Sequence, residues 1–186
     1  MKKILYLLIV LLTCSVNAQN KCGIYYNSDK IGYSRIVGKK VGNIAGAYFT
    51  LGLSAANSNK VIEGESAETK IKETKPVFTV HFGDDQQTGY LFTNPANIDN
   101  IILLKLYKKK KSRNLRTGKY GLTGVKTGVD EKDIQPLHIE KLDDNSYQIY
   151  PREELEKGEY AFYYIGDVPE GKDPFNGVFD FSIKKK

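Results

Sequence analysis

Near its carboxyl end the chain reads Leu155-Glu156-Lys157-Gly158-Glu159-Tyr160-Ala161-Phe162-Tyr163-Tyr164. Gly158 follows the leucine after three residues, and Tyr160 comes two residues later. Glycine allows a tight bend because it has no Cβ. Tyr160 opens an aromatic run that continues through Phe162, Tyr163 and Tyr164. The stretch predicts a tight bend at Gly158 that leads into an aromatic strand.

Extended segments with alternating residue character recur through the rest of the chain. In 77–82, for example, Phe78, Val80 and Phe82 share one face. Aspartate and asparagine at 143–145 predict a hairpin turn, because both tolerate left-handed backbone. The predicted strands span residues 23–26, 31–37, 44–53, 70–72, 77–82, 98–107, 137–142, 147–150, 159–165 and 177–183.

Short strands at such intervals, without a long helical period, predict an all-β fold. The polar segments 57–60 and 108–133 are expected to be loops, where function is often carried. The spacing of Leu155, Gly158 and Tyr160 resembles the tyrosine corner of Greek-key sandwiches. This resemblance implies that the chain crosses there from one sheet to the other, that the Tyr160 ring is buried, and that its hydroxyl bonds backbone a few residues upstream.

Further residues extend this resemblance. With Pro151, Ala67, the 76–78 segment and the Phe179-Asp180-Phe181 ending, the second half of the chain resembles a group of uncharacterised exported bacterial β-sandwich proteins. The resemblance implies an immunoglobulin-like Greek-key β-sandwich. It implies no catalytic residue, cofactor or metal. We therefore interpret the protein as a non-catalytic binding or structural module of the cell envelope.

The amino-terminal residues predict export. Lys2 and Lys3 precede an apolar run over 4–12, and small residues at 16–18 offer a cleavage site. The run is shorter than the roughly 20 residues of a membrane-spanning helix. We predict a signal peptide over 1–18, a single domain over 19–186, no transmembrane span, and a location in the periplasm, on the outer surface or in the medium.

The two cysteines leave one alternative open. Cys14 lies in the predicted signal, where Leu11-Leu12-Thr13-Cys14 loosely resembles a lipid-attachment box. If the signal is cleaved after residue 18 instead, Cys22 remains alone and no intramolecular disulfide forms.

A basic segment is the main candidate binding site. Its cations are Lys105, Lys108, Lys109, Lys110, Lys111, Arg113, Arg116 and Lys119. Such density could hold a polyanion, such as anionic envelope polysaccharide, through release of counterions. The alternatives are a solvated edge that blocks aggregation, or a contact with another envelope protein. Nucleic acid is not an expected partner of an exported protein. Over the whole chain the 28 basic and 22 acidic residues are mostly interspersed.

A hydrolase is the alternative from another functional class. The chain has only two histidines, His81 and His138, with Glu140 on the same predicted strand face as His138. They match no metal-ligand spacing, and no nucleophile elbow, zinc-protease motif or phosphate loop is present. We therefore expect no enzymatic activity.

Overall fold

The computed structural model describes residues 22–42, 56–83, 89–121, 124–167 and 176–184. The predicted signal peptide, Cys14 and the predicted strand at 44–53 lie outside these residues. Within them the chain forms strands and three short 3₁₀ helices, so the all-β prediction is confirmed. The strands are β1 (Gly23–Tyr26), β2 (Asp29–Lys30), β3 (Tyr33–Val41), β4 (Ala56–Glu63), β5 (Thr69–Ile71), β6 (Phe78–His81), β7 (Ile101–Lys109), β8 (Ser112–Gly121), β9 (Gly124–Thr127), β10 (Ile134–Gln135), β11 (Leu137–Asp143), β12 (Ser146–Pro151), β13 (Gly158–Tyr164) and β14 (Gly177–Ile183).

Six of these strands close into a barrel. The antiparallel ring runs β7-β13-β14-β3-β4-β8 and returns to β7. Strand β5 adds to β14 in parallel, β9 adds to β8, and β10 adds to β7. Closure removes exposed edges from the ring, since every ring strand has a partner on both sides.

A second sheet packs against the outside of the barrel. Its order is β11-β12-β6-β1-β2, and all its pairs are antiparallel. The core between the layers is aromatic: Phe78 of the second sheet lies 4.9 Å, between ring centroids, from both Phe162 and Phe181 of the barrel wall. A smaller apolar core fills the barrel and includes Ile62, Leu104, Leu106, Leu115, Ala161 and Val178.

The ring closes through a short pairing between β7 and β8. These strands pair through residues 107–109 of β7, and further along β7 its neighbour is β10. Asp133, just before β10, spans the seam: it accepts from the Tyr107 hydroxyl at 2.5 Å and from Arg116 Nε at 2.7 Å. The Arg116 guanidinium also lies over the Tyr107 ring, 4.3 Å from its centroid.

The barrel corrects the predicted topology. A sandwich of two open sheets does not contain this closure, which depends on β4 and β8. Residues 57–60 belong to β4, and most of 108–133 forms the end of β7, β8 and β9, so predicting loops there was wrong. By contrast, the bounds of β1 and β14 match the prediction, and so does the hairpin turn after Asp143, whose carboxylate accepts from Asn145 N at 2.8 Å.

The predicted corner lies where the chain changes layers. Strand β12 belongs to the outer sheet and β13 to the barrel, so residues 152–157 cross between them. The Tyr160 hydroxyl donates to the Glu156 carbonyl at 2.9 Å, which is the contact that the corner hypothesis predicts. Burial raises the pKa of Tyr160 to about 12, so the hydroxyl stays a donor. No helix in the described part of the chain is long and apolar enough to span a bilayer.

Candidate functional site

One end of the barrel interior is polar. Along β13 and β14 alternate side chains point inward, and near this end they are Glu159, Asp180 and Ser182. All three are buried, and Arg113 at the start of β8 is only 1% exposed among them. Buried charges require partners, so this cluster is built of ion pairs and hydrogen bonds.

Arg113 is bonded on all three nitrogens. Its Nη1 pairs with Asp180, its Nη2 donates to Ser34 Oγ at 3.1 Å and to the Glu63 carbonyl at 2.5 Å, and its Nε donates to the Gly64 carbonyl at 3.2 Å. Burial raises the pKa of Asp180, although Arg113 and Ser34 oppose that shift by pairing with its carboxylate. The guanidinium thus ties β8 to β3, β14 and the end of β4.

Glu159 is the second buried carboxylate of this end. Its Oε2 accepts from Ala67 N at 2.8 Å and from Ser182 Oγ at 2.9 Å, and lies 3.9 Å from Arg113 Nη1. Lys70 donates to Ser182 Oγ at 3.2 Å and to Ser66 Oγ. The cluster therefore joins β13, β14 and the segment that leads into β5.

Lysines surround this end on the outside. Lys108 Nζ lies 3.9 Å from Glu159 Oε1, and Lys109, Lys110 and Lys111 follow at the exposed β7–β8 hairpin tip. Lys70 sits opposite Ser182 in the parallel β5–β14 pair, and the backbone N–H of Lys184 bonds Ile71 O. We call Lys70, Lys108–Lys111 and Lys184 the basic rim.

Charges within the rim act on one another. Burial lowers the pKa of Lys70; Glu159 opposes the shift, while Lys184, Arg113 and Lys108 add to it by repulsion. Lys70, Lys108 and Lys184, from three segments of the chain, are therefore close enough to repel one another, and Glu159 is a counter-charge to both Lys70 and Lys108. Such a cluster is stabilised by bound anions, because each anion relieves repulsion between neighbouring cations.

A pocket of about 370 Å³ opens beside the rim. Its walls come from the start of β3, the segment after β4, and the inner end of the ion network. The lining residues are Gly32, Tyr33, Ser34, Arg35, Glu63, Gly64, Ser66, Glu68, Arg113 and Asp180. Ser66 and Arg113 connect the pocket to the rim, since Ser66 contacts Lys70 and Arg113 contacts Glu159.

The eight predicted cations do not lie together in the structure. Lys108–Lys111 cluster at the hairpin tip, Lys105 pairs with Glu156 at 2.5 Å, Arg113 is buried, and Arg116 is bonded to Asp133. Lys119 lies seven residues further along β8 than Ser112, which is about 23 Å at about 3.3 Å per residue. The segment is therefore not one continuous surface.

Lysines also occur at the opposite end of the barrel. Lys119 pairs with Lys126, and Lys39 pairs with Lys60 across neighbouring strands. Lys60 points inward, where its Nζ donates to the Tyr163 hydroxyl at 2.7 Å. Lys39, Lys40, Lys119 and Lys126 are exposed. This end offers a set of four lysines with the same charge as the hairpin tip.

The two histidines do not form one site. Both lie on the outer face of the second sheet, on the two strands that flank β12. His81 is opposite Ser146 and His138 is opposite Tyr150, and these two β12 residues are four positions apart. This separates them by about 16 Å, at about 3.3 Å per residue and 4.8 Å per strand. His81 Nδ1 is 2.9 Å from Ser146 Oγ, and the His138 ring stacks on Tyr150.

Two of the three corner residues, Leu155 and Tyr160, are buried in the core between the layers. Leu155 is buried, and its N–H bonds the Thr74 carbonyl at 2.7 Å. Gly158 does not have a positive φ, so the bend does not depend on its conformational freedom as the sequence suggested. A Cβ there would lie 3.4 Å from the Tyr160 ring, which is an ordinary contact.

Comparison with protein-family models, curated proteins and solved structures finds no match to this chain. The candidate site therefore depends on geometry alone. Sequence reasoning missed Glu159, Asp180 and Lys70 as members of it. Asp180 did carry a signal, because a carboxylate between two phenylalanines of a buried strand implies a buried cation. The described residues contain no group of three histidine, cysteine or acidic side chains placed to hold a metal ion.

Proposed function

We propose that the protein is a polyanion-binding module and that the basic rim is its binding surface. The supporting observation is the convergence of Lys70, the Lys108–Lys111 hairpin tip and Lys184 on one end of the barrel. The hairpin presents its lysines in solvent, while the ion network below fixes its base through Arg113. A multivalent cationic surface binds polymers of negative charge by releasing their counterions.

We also propose that this module acts after export. The amino-terminal signal pattern supports this location, and the layer crossing at 152–157 supports a relationship with Greek-key sandwiches despite the barrel closure. Anionic polysaccharide of the cell envelope is the partner that fits both the charge and the compartment. No catalytic step is part of this function.

Heparin affinity across a series of salt concentrations tests the proposal. The first variant combines Lys108→Gln, Lys109→Gln, Lys110→Asn and Lys111→Gln; asparagine suits position 110, where φ is +51°. We expect affinity at low salt to fall on the order of 100-fold and the salt dependence to flatten, since four contacts with anions are lost.

A matched variant controls for net charge. It combines Lys39→Gln, Lys40→Gln, Lys119→Gln and Lys126→Gln at the opposite end of the barrel, and removes the same four charges. We expect this variant to keep most of its heparin affinity. An equal loss in both variants, or no loss in the hairpin variant, would reject the rim as the binding surface.

A further inference from the structure

Two serines and a lysine meet where the pocket joins the basic rim. Ser66 Oγ lies 3.3 Å from Ser182 Oγ, and Lys70 Nζ donates to Ser66 Oγ, to Ser182 Oγ at 3.2 Å and to the Ala67 carbonyl. Ser66 is half-buried and lines the pocket, whereas Ser182 is buried on the inner face of β14. The two serines are 116 residues apart in the chain, so no local motif reveals this group.

The contacts around Lys70 Nζ suit a base as well as a cation. The Ser182 hydroxyl donates to Glu159 Oε2 at 2.9 Å, so its oxygen is an acceptor toward Lys70. A neutral amine has two N–H groups and one lone pair. If the N–H groups bond Ser182 Oγ and the Ala67 carbonyl, the lone pair faces Ser66 Oγ and can accept its hydrogen. After protonation the third N–H takes that direction, so the same geometry serves both forms of the amine.

The surroundings of Lys70 favour its neutral form. Burial lowers the pKa of Lys70 from its ordinary value of 10.5, against the opposing effect of Glu159. The cations that lower it further are Lys184, Arg113 and Lys108. Desolvation and neighbouring cations are the two ways in which proteins activate lysine amines at moderate pH.

The backbone on both sides of Ser66 is anchored. Ala67 is buried, and its N–H donates to Glu159 Oε2 at 2.8 Å. Gly64 has a φ of +81°, and its carbonyl accepts from Arg113 Nε at 3.2 Å. The Ser66 hydroxyl is therefore presented to the pocket from a segment that the buried ion network holds in place.

The pocket limits the kind of molecule that can reach Ser66. Its volume of about 370 Å³ is within the range of small-molecule sites. At its inner end Asp180 is paired with Arg113, and Glu68 also lines it. The Glu68 carboxylate repels an anion, which favours an uncharged ligand.

We propose that Ser66 is a nucleophile toward small, uncharged carboxylic esters and that Lys70 is its general base. Ser66 Oγ bonds to the ester carbonyl carbon while its proton passes to Lys70 Nζ. The carbon–oxygen bond to the alcohol then breaks, and the alcohol leaves with that proton. Water attacks the acyl-serine and gives a proton to Lys70; the acid is released as Ser66 Oγ takes this proton back. This activity goes beyond the binding of polyanions and does not depend on it.

A fluorophosphonate probe tests the nucleophile, because it forms a P–O bond to an activated serine and releases fluoride. We expect peptide mapping by mass spectrometry to place the label on Ser66, and Ser66→Ala to remove it. The same variant should lose multiple-turnover hydrolysis of p-nitrophenyl acetate, which acetylation of surface lysines cannot supply. Absence of label, or label on Ser34 of the same pocket instead, would overturn the proposal.

Lys70→Arg separates a base from a structural contact. Arginine keeps the positive charge and the N–H donors but does not release its proton. The labelling rate should fall on the order of 100-fold, which is the contribution expected of a general base. Circular dichroism checks that the fold is intact. An unchanged rate would show that Lys70 only holds the segment, and the proposed base would be wrong.

The pH dependence of labelling is a second measurement that leaves Lys70 in place. The rate should rise with pH and level off above the pKa of Lys70, because only the neutral amine accepts the Ser66 proton. Lys184→Met removes a cation that lowers this pKa, so the rise should move to higher pH. A rate independent of pH, or a rise that does not move, would reject Lys70 as the base. Heparin binding by Ser66→Ala reports separately on the proposed function, since every rim lysine remains.

Discussion

Strands β13 and β14 present opposite faces to two different interiors. The outer face carries Tyr160, Phe162, Phe179, Phe181 and Ile183, which pack on the second sheet. The inner face of the same strands carries Glu159, Asp180 and Ser182 at one end of the barrel. Alternation along a strand makes this possible, since neighbouring residues point to opposite sides.

The two faces are stabilised by different physics. Apolar packing between the layers is non-directional and tolerates changes that conserve volume. The inner cluster depends on particular pairs, because a buried charge without its partner is unfavourable by several kcal/mol. The loss of stability on substitution of the inner face should therefore depend on whether the charged partner remains. On the outer face the loss should follow the volume removed or the single hydrogen bond lost.

Arg113→Met gives the largest expected effect. It leaves Asp180 buried without its cation, and the free energy of unfolding should fall by about 3–5 kcal/mol. Arg113→Met combined with Asp180→Leu should recover most of that loss, because two apolar side chains replace a pair of charges. Urea denaturation of the three proteins measures this. A double variant as unstable as the single one would show that the cluster does not act as a pair.

Tyr160→Phe tests a polar contact of the outer face. It deletes the hydroxyl that donates to the Glu156 carbonyl, and should lower the free energy of unfolding by about 1 kcal/mol. Tyr150→Phe is the control, since its hydroxyl bonds Glu140 on an exposed surface and its loss should change stability by under about 0.5 kcal/mol. An unchanged midpoint for Tyr160→Phe would remove the corner as a stabilising feature.

The smallest expected effect is a dependence of stability on pH that comes from the inner face. The pKa of Asp180 is raised by burial above its ordinary value of 3.8. As pH rises from about 4 through the folded-state pKa, the native protein holds more protons than the unfolded chain, so this contribution to stability declines. Asp180→Asn should remove that decline. Denaturation midpoints of the native protein and of Asp180→Asn between pH 4 and 7 test this. Parallel curves for the two proteins would show that Asp180 is not the source of the decline.

The sequence predicted the outer sheet and its partner strands better than the barrel. Residues 77–82 and 177–183 alternate cleanly because one face of each strand is apolar. The inward positions of β8 include Arg113 beside Leu115, so polar side chains interrupt the apolar period of that strand. The inner residues of β4 include Ser58 and Lys60, with the same result. A strand that lines a polar interior therefore looks like a loop.

The candidate site could be predicted only in part for a related reason. The run Lys108–Lys111 is visible in the sequence, but Lys70 and Lys184 join it through the parallel β5–β14 pair. Pairings between distant segments leave no local periodicity. For the same reason the sequence did not predict that Arg116 bonds Asp133, which lies across the β7–β8 seam.

The central place of β14 also orders events during synthesis. This strand pairs with β13, β3 and β5 and contributes to both interiors, yet it follows every other strand along the chain. Neither interior can be completed until residues 177–183 have left the ribosome, so the native state forms after translation of the whole segment rather than during it. A chain with this property cannot bury either core completely until its last strand has been made.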